Sequence, residues 1–181
     1  MRGGTGTVRK AQKKTATEKP PLLYDLTELQ RNANARYGFT AERTLRAAQA
    51  LYEERKLITY PRTSSRYLSK DMVGGLKKRV EAAGALPDLA PFAEKVLGGP
   101  KLPISKRIVD DSKVTDHHAI VPTNKKYSDG LSPDEAKVYD LVARRFVAVF
   151  LPAARFENTA VVTEVREETF LSRGRVVLEA G

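Results

Sequence analysis

The spacing of hydrophobic residues along the chain changes near residue 150, and the two kinds of spacing together indicate the fold class. Before that point the apolar residues recur at helical spacing in several separate segments. After it, residues 159–165 and 169–178 alternate with a period of two around a polar turn near residues 166–168. This alternation predicts an antiparallel pair of strands. A helical region followed by a small sheet belongs to the α+β class.

The strongest helix start is the run Ser132-Pro133-Asp134-Glu135. It offers a cap, a proline at the first helical position and a glutamate placed for a capping box. We expect this helix to continue to about Phe150, before Pro152 closes it. Gly38 is expected to stop an earlier helix. Helices are predicted at about 27–37, from a Thr40 cap to about 55, from a Ser69 cap to about 83 and from Asp88 to about 97; short strands are predicted at 107–109 and 113–115.

The composition favours a polyanionic partner. The chain of 181 residues has a formal charge of +10 and a pI near 9.8, which points to nucleic acid first and an acidic membrane surface second. A basic, solvated surface without a partner is the alternative. The sequence has no cysteine, which suits a reducing cytoplasm, and no signal peptide or apolar run of membrane-spanning length is visible.

The stretch from residue 57 to 68 combines side chains that could attack a phosphodiester. Pro61 disfavours helical backbone at Tyr60, so the tyrosine is expected on extended or turn backbone. On extended backbone Tyr60 and Arg62 face the same way. The phenol oxygen could then act as nucleophile while the planar guanidinium grips the phosphate oxygens. The alternative is a tyrosine that anchors a loop beside a solvated arginine.

Three segments resemble one protein family, in the family's order and with comparable gaps. They are residues 20–30 (PPLLYDLTELQ), residues 58–63 and 65–68 (ITYPRT and SRYL) and residues 116–123 (DHHAIVPT). Together they resemble the type IA DNA topoisomerases, and the topoisomerase III branch especially. One position departs from the pattern, because Ser64 stands where the family usually carries an acidic residue.

The resemblance implies a particular domain arrangement. A mainly helical, winged-helix-like (CAP-like) domain carrying the tyrosine is expected at residues 23–152. It would be inserted into a partial β domain, with one strand in residues 1–22 and returning strands in residues 153–181. The basic residues before Pro20 would by themselves indicate a flexible arm. By resemblance they are a strand that pairs with the far end of the chain.

The resemblance also implies a reaction and a set of site residues. In the family the tyrosine cleaves one DNA strand, leaves a 5′-phosphotyrosine, and religates the strand after strand passage, which relaxes or decatenates DNA. Tyr60 and Arg62 match the catalytic positions, and His117 matches a histidine that contacts phosphate. A structural role for the pair His117-His118 is the alternative; zinc binding is disfavoured because no cysteine partner is present. Further DNA-binding candidates are Thr63, Arg66, Arg43 and Arg46, although the two α-helical arginines could equally belong to a solvated face.

The family's Mg²⁺ ligands lie in a separate acidic toprim domain, and no matching acidic motif is found here. We therefore expect a fragment that holds the nucleophile, binds no metal, and binds single-stranded or negatively supercoiled DNA without relaxing it. The remaining domains of the full-length enzyme would be its partners, in the bacterial cytoplasm and not at a membrane. The competing hypothesis is a non-catalytic helix-turn-helix DNA-binding module in which Tyr60 only packs. Relaxases are disfavoured because their histidine pair flanks a hydrophobic residue, whereas His117 and His118 are adjacent. Tyrosine recombinases are disfavoured because their tyrosine is helical, and Pro61 argues against a helix here.

Overall fold

The computed structural model describes residues 5–127 and 130–181, and it contains two compact units. One unit combines the residues up to Pro20 with Pro152–Gly181, and the other is Pro21–Leu151. Residues 1–4 of the predicted first segment lie outside the described residues. The chain thus leaves the first unit, forms the second, and returns to the first.

The first unit is a three-stranded antiparallel sheet. Its strands are β1 (Thr7–Glu18), β2 (Ala154–Val165) and β3 (Glu168–Glu179), in the order β1-β2-β3. The prediction of mixed helices and antiparallel strands is confirmed, and each strand of the hairpin is longer than its alternating pattern indicated. β1 is a strand and not a flexible arm, because it pairs along its length with β2.

The connection between β2 and β3 is a two-residue turn. Arg166 and Glu167 both have positive φ, 49° and 70°, and Val165 pairs with Glu168 across the turn. Two successive positive φ values are typical of a type I′ turn, whose twist matches that of the flanking strands. The tight turn fixes the hairpin register without a glycine.

The second unit contains five α-helices in the residues that the structure describes. They are α1 (Leu26–Tyr37), α2 (Ala41–Glu53), α3 (Leu76–Ala83), α4 (Ala90–Leu97) and α5 (Pro133–Ala148). Helix α5 packs against each of the other four and supplies the centre of the core. Its fully buried side chains are Val138, Tyr139, Val142, Ala143, Phe146 and Val147.

The caps of three helices follow from local sequence. Ser132 and Glu135 form the predicted capping box at the start of α5. The Thr40 side chain accepts a hydrogen bond from the Arg43 amide and caps α2. Gly38 has φ of 67° and ends α1 in the left-handed conformation that favours glycine. These three predictions are confirmed, whereas the cap of α1 is Asp25, two residues before the predicted start.

Other predicted elements differ from the structure, although the predicted helix ends near residues 83 and 97 are confirmed. The helix expected from Ser69 is a 3₁₀ helix over Lys70–Gly75 and becomes α-helical only at Leu76, because the glycine pair favours departure from α-helical geometry. The strand predicted at residues 113–115 is replaced by the end of a 3₁₀ turn, Asp111–Lys113. The strand predicted at 107–109 is reduced to one isolated bridge between Leu68 and Val109. The turn Pro87–Leu89 precedes α4, so Asp88 does not cap that helix.

Candidate active site

The tyrosine segment is held by backbone pairing with the histidine segment. Residues 57–59 run antiparallel to residues 121–123, with Ile58 opposite Pro122. The Thr59 amide donates to the Val121 carbonyl at 2.9 Å. This pairing stops immediately before Tyr60, so the tyrosine leaves the end of a short, fixed ladder.

Threonine side chains add a second set of links between the two segments. The Thr59 hydroxyl donates to the Ala119 carbonyl at 3.1 Å and accepts from the Val121 amide at 3.0 Å. The Thr63 hydroxyl donates its only proton to the His117 carbonyl at 2.9 Å. Thr63, predicted to bind DNA, is therefore buried and used within the protein.

The leading segment joins the same assembly. The Ile120 amide donates to the Tyr24 carbonyl at 2.8 Å, and the Leu26 amide donates to the Thr63 carbonyl at 3.1 Å. Arg66 donates through Nε to the Leu23 carbonyl at 3.1 Å. The three segments that carried the family resemblance are thus bonded to one another around Tyr60.

Burial alternates along the segment that follows Tyr60. Pro61 and Thr63 are buried, whereas Tyr60 is half-buried and both Arg62 and Ser64 are exposed. The Thr63 amide donates to the Pro61 carbonyl at 3.0 Å, so the backbone makes a tight turn at Arg62 and is not fully extended. Tyr60 and Arg62 are nevertheless both more exposed than the residue that follows each of them. Within the described part of the chain, the Arg62 guanidinium has no hydrogen bond or ion pair. All its donors are available to an anionic ligand.

The Tyr60 ring contacts two other rings among the described residues. Its centroid is 4.4 Å from that of His117 and 5.5 Å from that of Tyr52. The Tyr60 hydroxyl has no hydrogen-bond partner among the described residues. The His117 side chain is exposed and Tyr60 is half-buried, so phenol, imidazole and guanidinium all remain open to a ligand at this end of the segment.

The second histidine has a different environment. His118 donates through Nδ1 to the Ala119 carbonyl at 2.8 Å, which leaves Nε2 as an acceptor. Burial lowers the pKa of His118, and the charge of Arg79 lowers it further, so the neutral form is favoured. This environment supports a structural role for His118. Of the two histidines, His117 is the one whose ring contacts Tyr60.

The two candidate arginines on α2 already have acidic partners. Arg43 forms a bidentate pair with Asp134, at 2.6 and 2.7 Å, at the start of α5. Arg46 pairs with Glu42 at 3.0 Å within the helix. Both are exposed, and the structure does not link either to the group around Tyr60.

Two residues of the site were not predicted. Tyr52 lies in the helix predicted from Thr40 to about residue 55, and a position eight residues before Tyr60 gives no signal of ring contact. Arg79 of α3 donates to the Pro122 carbonyl at 2.7 Å, while its buried Nε has no partner in the described residues. Burial lowers the pKa of Arg79. Its attachment to the histidine segment depends on tertiary packing and could not be read from spacing.

Across residues 5–127 and 130–181, no cluster of three or more His, Asp or Glu side chains is arranged to hold a metal ion. Mg²⁺ prefers carboxylate oxygens, and the groups around Tyr60 are a phenol, an imidazole and a guanidinium. The residues described here therefore do not fit a magnesium site. None of the helices in these ranges is both long and apolar enough to cross a bilayer.

The fold and the chain match known proteins. The structure of full-length topoisomerase I from Thermotoga maritima has a similar fold, with a TM-score of 0.63 and 24% identity, over 96% of this chain and 28% of that one. A family model described as DNA topoisomerase matches residues 1–181. The chain belongs to the DNA topoisomerase family.

Relatives within the family specify the branch. DNA topoisomerase 3 of Bacillus cereus is 49% identical over 176 residues, which cover 97% of this chain and 24% of that protein. DNA topoisomerase 3 of Bacillus subtilis is 45% identical over 184 residues, covering 100% of this chain and 25% of that protein. The resemblance to the topoisomerase III branch of type IA enzymes is confirmed. The chain spans about a quarter of the length of these relatives.

Proposed function

We propose that Tyr60 is the nucleophile of a type IA DNA topoisomerase, and that the helical unit is its winged-helix-like, tyrosine-bearing domain. The observation that carries this proposal is the contact between Tyr60 and His117, 4.4 Å between ring centroids, beside an exposed Arg62. The phenol oxygen is free of protein hydrogen bonds in the described residues. A free nucleophile beside two cationic or hydrogen-bonding groups suits attack on a phosphodiester.

The step proposed for Tyr60 is a transesterification. The phenol oxygen forms a bond to phosphorus while the bond from phosphorus to the 3′ oxygen breaks. The phenol proton leaves to solvent or a base, and the departing 3′ oxygen takes up a proton. The DNA then carries a 5′-phosphotyrosine, and the reverse reaction religates the strand. Phosphorus is neither oxidised nor reduced, and the energy of the broken ester is kept in the new one.

Arg62 and His117 have separate roles in this proposal. Arg62 presents a planar pair of donors to the phosphate oxygens, on which charge builds in the transition state. His117, whose ring contacts that of Tyr60, donates to the phosphate or to the adjacent DNA. A phenolate is a stronger nucleophile than a phenol, so stabilisation of negative charge on the Tyr60 oxygen by Arg62 aids the attack.

The other site candidates bind DNA outside the reacting group. Arg66 uses its Nε to bind the Leu23 carbonyl, and its other donors can bind DNA. Arg43 and Arg46 would each have to exchange an acidic partner for a phosphate. Mg²⁺, which the family uses, would be held by residues other than those described here, and no step above uses it. We propose that the substrate is single-stranded or negatively supercoiled DNA in a bacterial cytoplasm. The 181-residue chain alone binds such DNA and does not relax plasmid, with or without magnesium.

The test places this chain in the matching segment of Bacillus subtilis DNA topoisomerase 3. The chimera is incubated with oligonucleotides labelled at either end, and covalent adducts are separated on a denaturing gel. Because a 5′-phosphotyrosine retains the downstream piece, only the 3′-labelled strand should remain with the protein. Tyr60→Phe should bind DNA and form no adduct. A non-catalytic helix-turn-helix module would tolerate that substitution.

Arg62→Lys separates charge from geometry in the same chimera. Lysine keeps the charge but lacks the planar fork that matches two phosphate oxygens. Loss of one oriented donor costs on the order of a hundredfold to a thousandfold in rate. We expect Arg62→Lys to be slow and Tyr60→Phe to be inactive. Adduct formation by Tyr60→Phe, or retention of the 5′ label, would show that the nucleophile or the polarity is misassigned.

A further inference from the structure

We propose that Tyr52 is a positioning residue for Tyr60, and that its ring fixes the direction of the phenol oxygen. The inference rests on the proposed function, in which Tyr60 is the nucleophile. It adds a residue that neither the family motifs nor the sequence pattern assigned to the site. Tyr52 contacts the ring of the reacting residue, and the role proposed for it is exercised through Tyr60.

Tyr60 needs an external constraint. Its side chain turns about two single bonds, and its hydroxyl makes no hydrogen bond within the described ranges. Pro61 fixes the backbone after it, and the ladder of residues 57–59 fixes the backbone before it. The remaining freedom is that of the ring, and Tyr52 and His117 are the two rings that contact it. His117 is exposed, so Tyr52 is the more firmly held of the two contacts.

Tyr52 itself is fixed by the backbone. It lies in the last turn of α2, beside Leu51, which is fully buried. The Leu57 amide donates to the Leu51 carbonyl at 2.9 Å, which ties the end of the helix directly to the tyrosine segment. Between them the chain reverses through Lys56, whose φ of 57° is left-handed, and the Thr123 hydroxyl donates to the Lys56 carbonyl at 2.7 Å.

The contact geometry is that of a directional aromatic pair. The planes of Tyr52 and Tyr60 meet at 75°, an edge-to-face arrangement, with centroids 5.5 Å apart. Such pairs prefer centroid separations of about 4.5–7 Å and favour one relative orientation. The Tyr52 hydroxyl has no hydrogen bond in the described part of the chain. The ring, and not its oxygen, therefore carries the proposed role.

The experiment compares truncation with conservative replacement in the topoisomerase 3 chimera. Tyr52→Ala and Tyr52→Leu remove the ring, the second while keeping bulk in the site, and Tyr52→Phe retains it. Displacement of a reacting group by about 1 Å can cost about a hundredfold in rate. We expect single-turnover cleavage to slow by about that factor in both ring-less variants, with DNA affinity unchanged. Tyr52→Phe should cleave at the wild-type rate.

Tyr37→Ala is the matched control. Tyr37 is also half-buried, lies at the end of a helix and pairs with one aromatic ring, that of Phe39 at 5.6 Å. Tyr37→Ala removes a comparable aromatic contact and leaves the ring contacts of Tyr60 in place. A merely structural role for Tyr52 predicts that Tyr37→Ala and Tyr52→Ala lower thermal stability and activity alike. The positioning role predicts a loss of cleavage rate only at Tyr52.

A second measurement does not depend on activity. The 181-residue chain is labelled with 3-fluorotyrosine, and the Tyr60 fluorine signal is identified by its loss in Tyr60→Phe. We expect the Tyr60 signal to move towards that of free fluorotyrosine in Tyr52→Leu and to stay in place in Tyr37→Ala. An unmoved signal, or cleavage at the wild-type rate by Tyr52→Leu, would overturn the inference and leave Tyr60 as the nucleophile. An adduct formed by Tyr60→Phe would instead overturn the proposed function.

Discussion

The stability of the fold is expected to change in opposite directions when the buried residues Tyr139 and Tyr24 are each replaced by phenylalanine. Tyr139 in α5 is fully buried, and its hydroxyl has no hydrogen-bond partner in the described residues. Tyr24 is equally enclosed, but its hydroxyl accepts a hydrogen bond from Arg145 at 3.2 Å. Tyr139→Phe removes an unsatisfied polar group, whereas Tyr24→Phe removes a satisfied one.

The expected magnitudes at neutral pH follow from the hydrogen bonds. A buried polar group without a partner costs about 1–3 kcal/mol, so Tyr139→Phe should raise the free energy of unfolding by about 1 kcal/mol. A hydrogen bond to a charged donor contributes about 1.5–3 kcal/mol. Arg145 also donates to Asn32 at 3.3 Å and to the Leu22 carbonyl at 2.9 Å. Because its guanidinium keeps these two acceptors in Tyr24→Phe, the loss of stability is limited. Tyr24→Phe should therefore lower the free energy of unfolding by about 1–2 kcal/mol.

Alkaline pH increases the difference at Tyr139. Burial raises the pKa of Tyr139 from 10.0 to about 12. Below about pH 10 the phenol is protonated in both the folded and the unfolded state and adds no pH dependence. As the pH rises from about 10 to about 12, only the unfolded state releases the proton, so the wild-type fold loses up to about 3 kcal/mol from this group. The Tyr139→Phe variant has no ionisable hydroxyl at this position, so it does not lose that stability at alkaline pH.

The assay is urea unfolding of the wild type and both variants, followed by far-ultraviolet circular dichroism, at neutral pH and at several alkaline pH values. The difference in unfolding free energy between Tyr139→Phe and wild type should be positive at neutral pH and should grow above about pH 10. A destabilised Tyr139→Phe at neutral pH would show that its hydroxyl is hydrogen-bonded in solution. A constant difference across the alkaline range would refute the raised pKa.

Two further predictions concern DNA binding and the hairpin. Affinity of the chain for a single-stranded oligonucleotide should fall about twentyfold between about 50 and 200 mM salt, since neutralising about three phosphates releases their counterions. Fluorescence anisotropy measures this affinity, and a salt-independent affinity would exclude electrostatic binding. Replacement of Arg166 and Glu167 by Asn and Gly should stabilise the β2–β3 hairpin by about 1 kcal/mol, because both positions are left-handed. Slower amide exchange in β3 would support that prediction, and faster exchange would contradict it.

The features that could be predicted from the sequence depend on neighbours a few residues apart. The capping box at Ser132 and the left-handed end of α1 at Gly38 were predicted correctly for this reason. The exposure of both Tyr60 and Arg62 agrees with the prediction from Pro61 that this segment is not helical, although the backbone makes a tight turn at Arg62. Local chemistry was ambiguous where glycines interrupt a helical pattern, as at residues 74–75, and there the prediction was wrong.

By itself the sequence determined the family, the two units' secondary-structure types and the identity of the candidate nucleophile, because motifs and hydrophobic periods are properties of short segments. Only the tertiary structure decided which distant groups surround that nucleophile. Thr63 is bonded to the His117 carbonyl across 54 positions of sequence, and Arg43 is paired with Asp134 across 91. The ring of Tyr52 reaches Tyr60 only because the chain reverses through a left-handed residue at Lys56. Such contacts depend on how packed segments meet in space, which spacing along the chain does not specify.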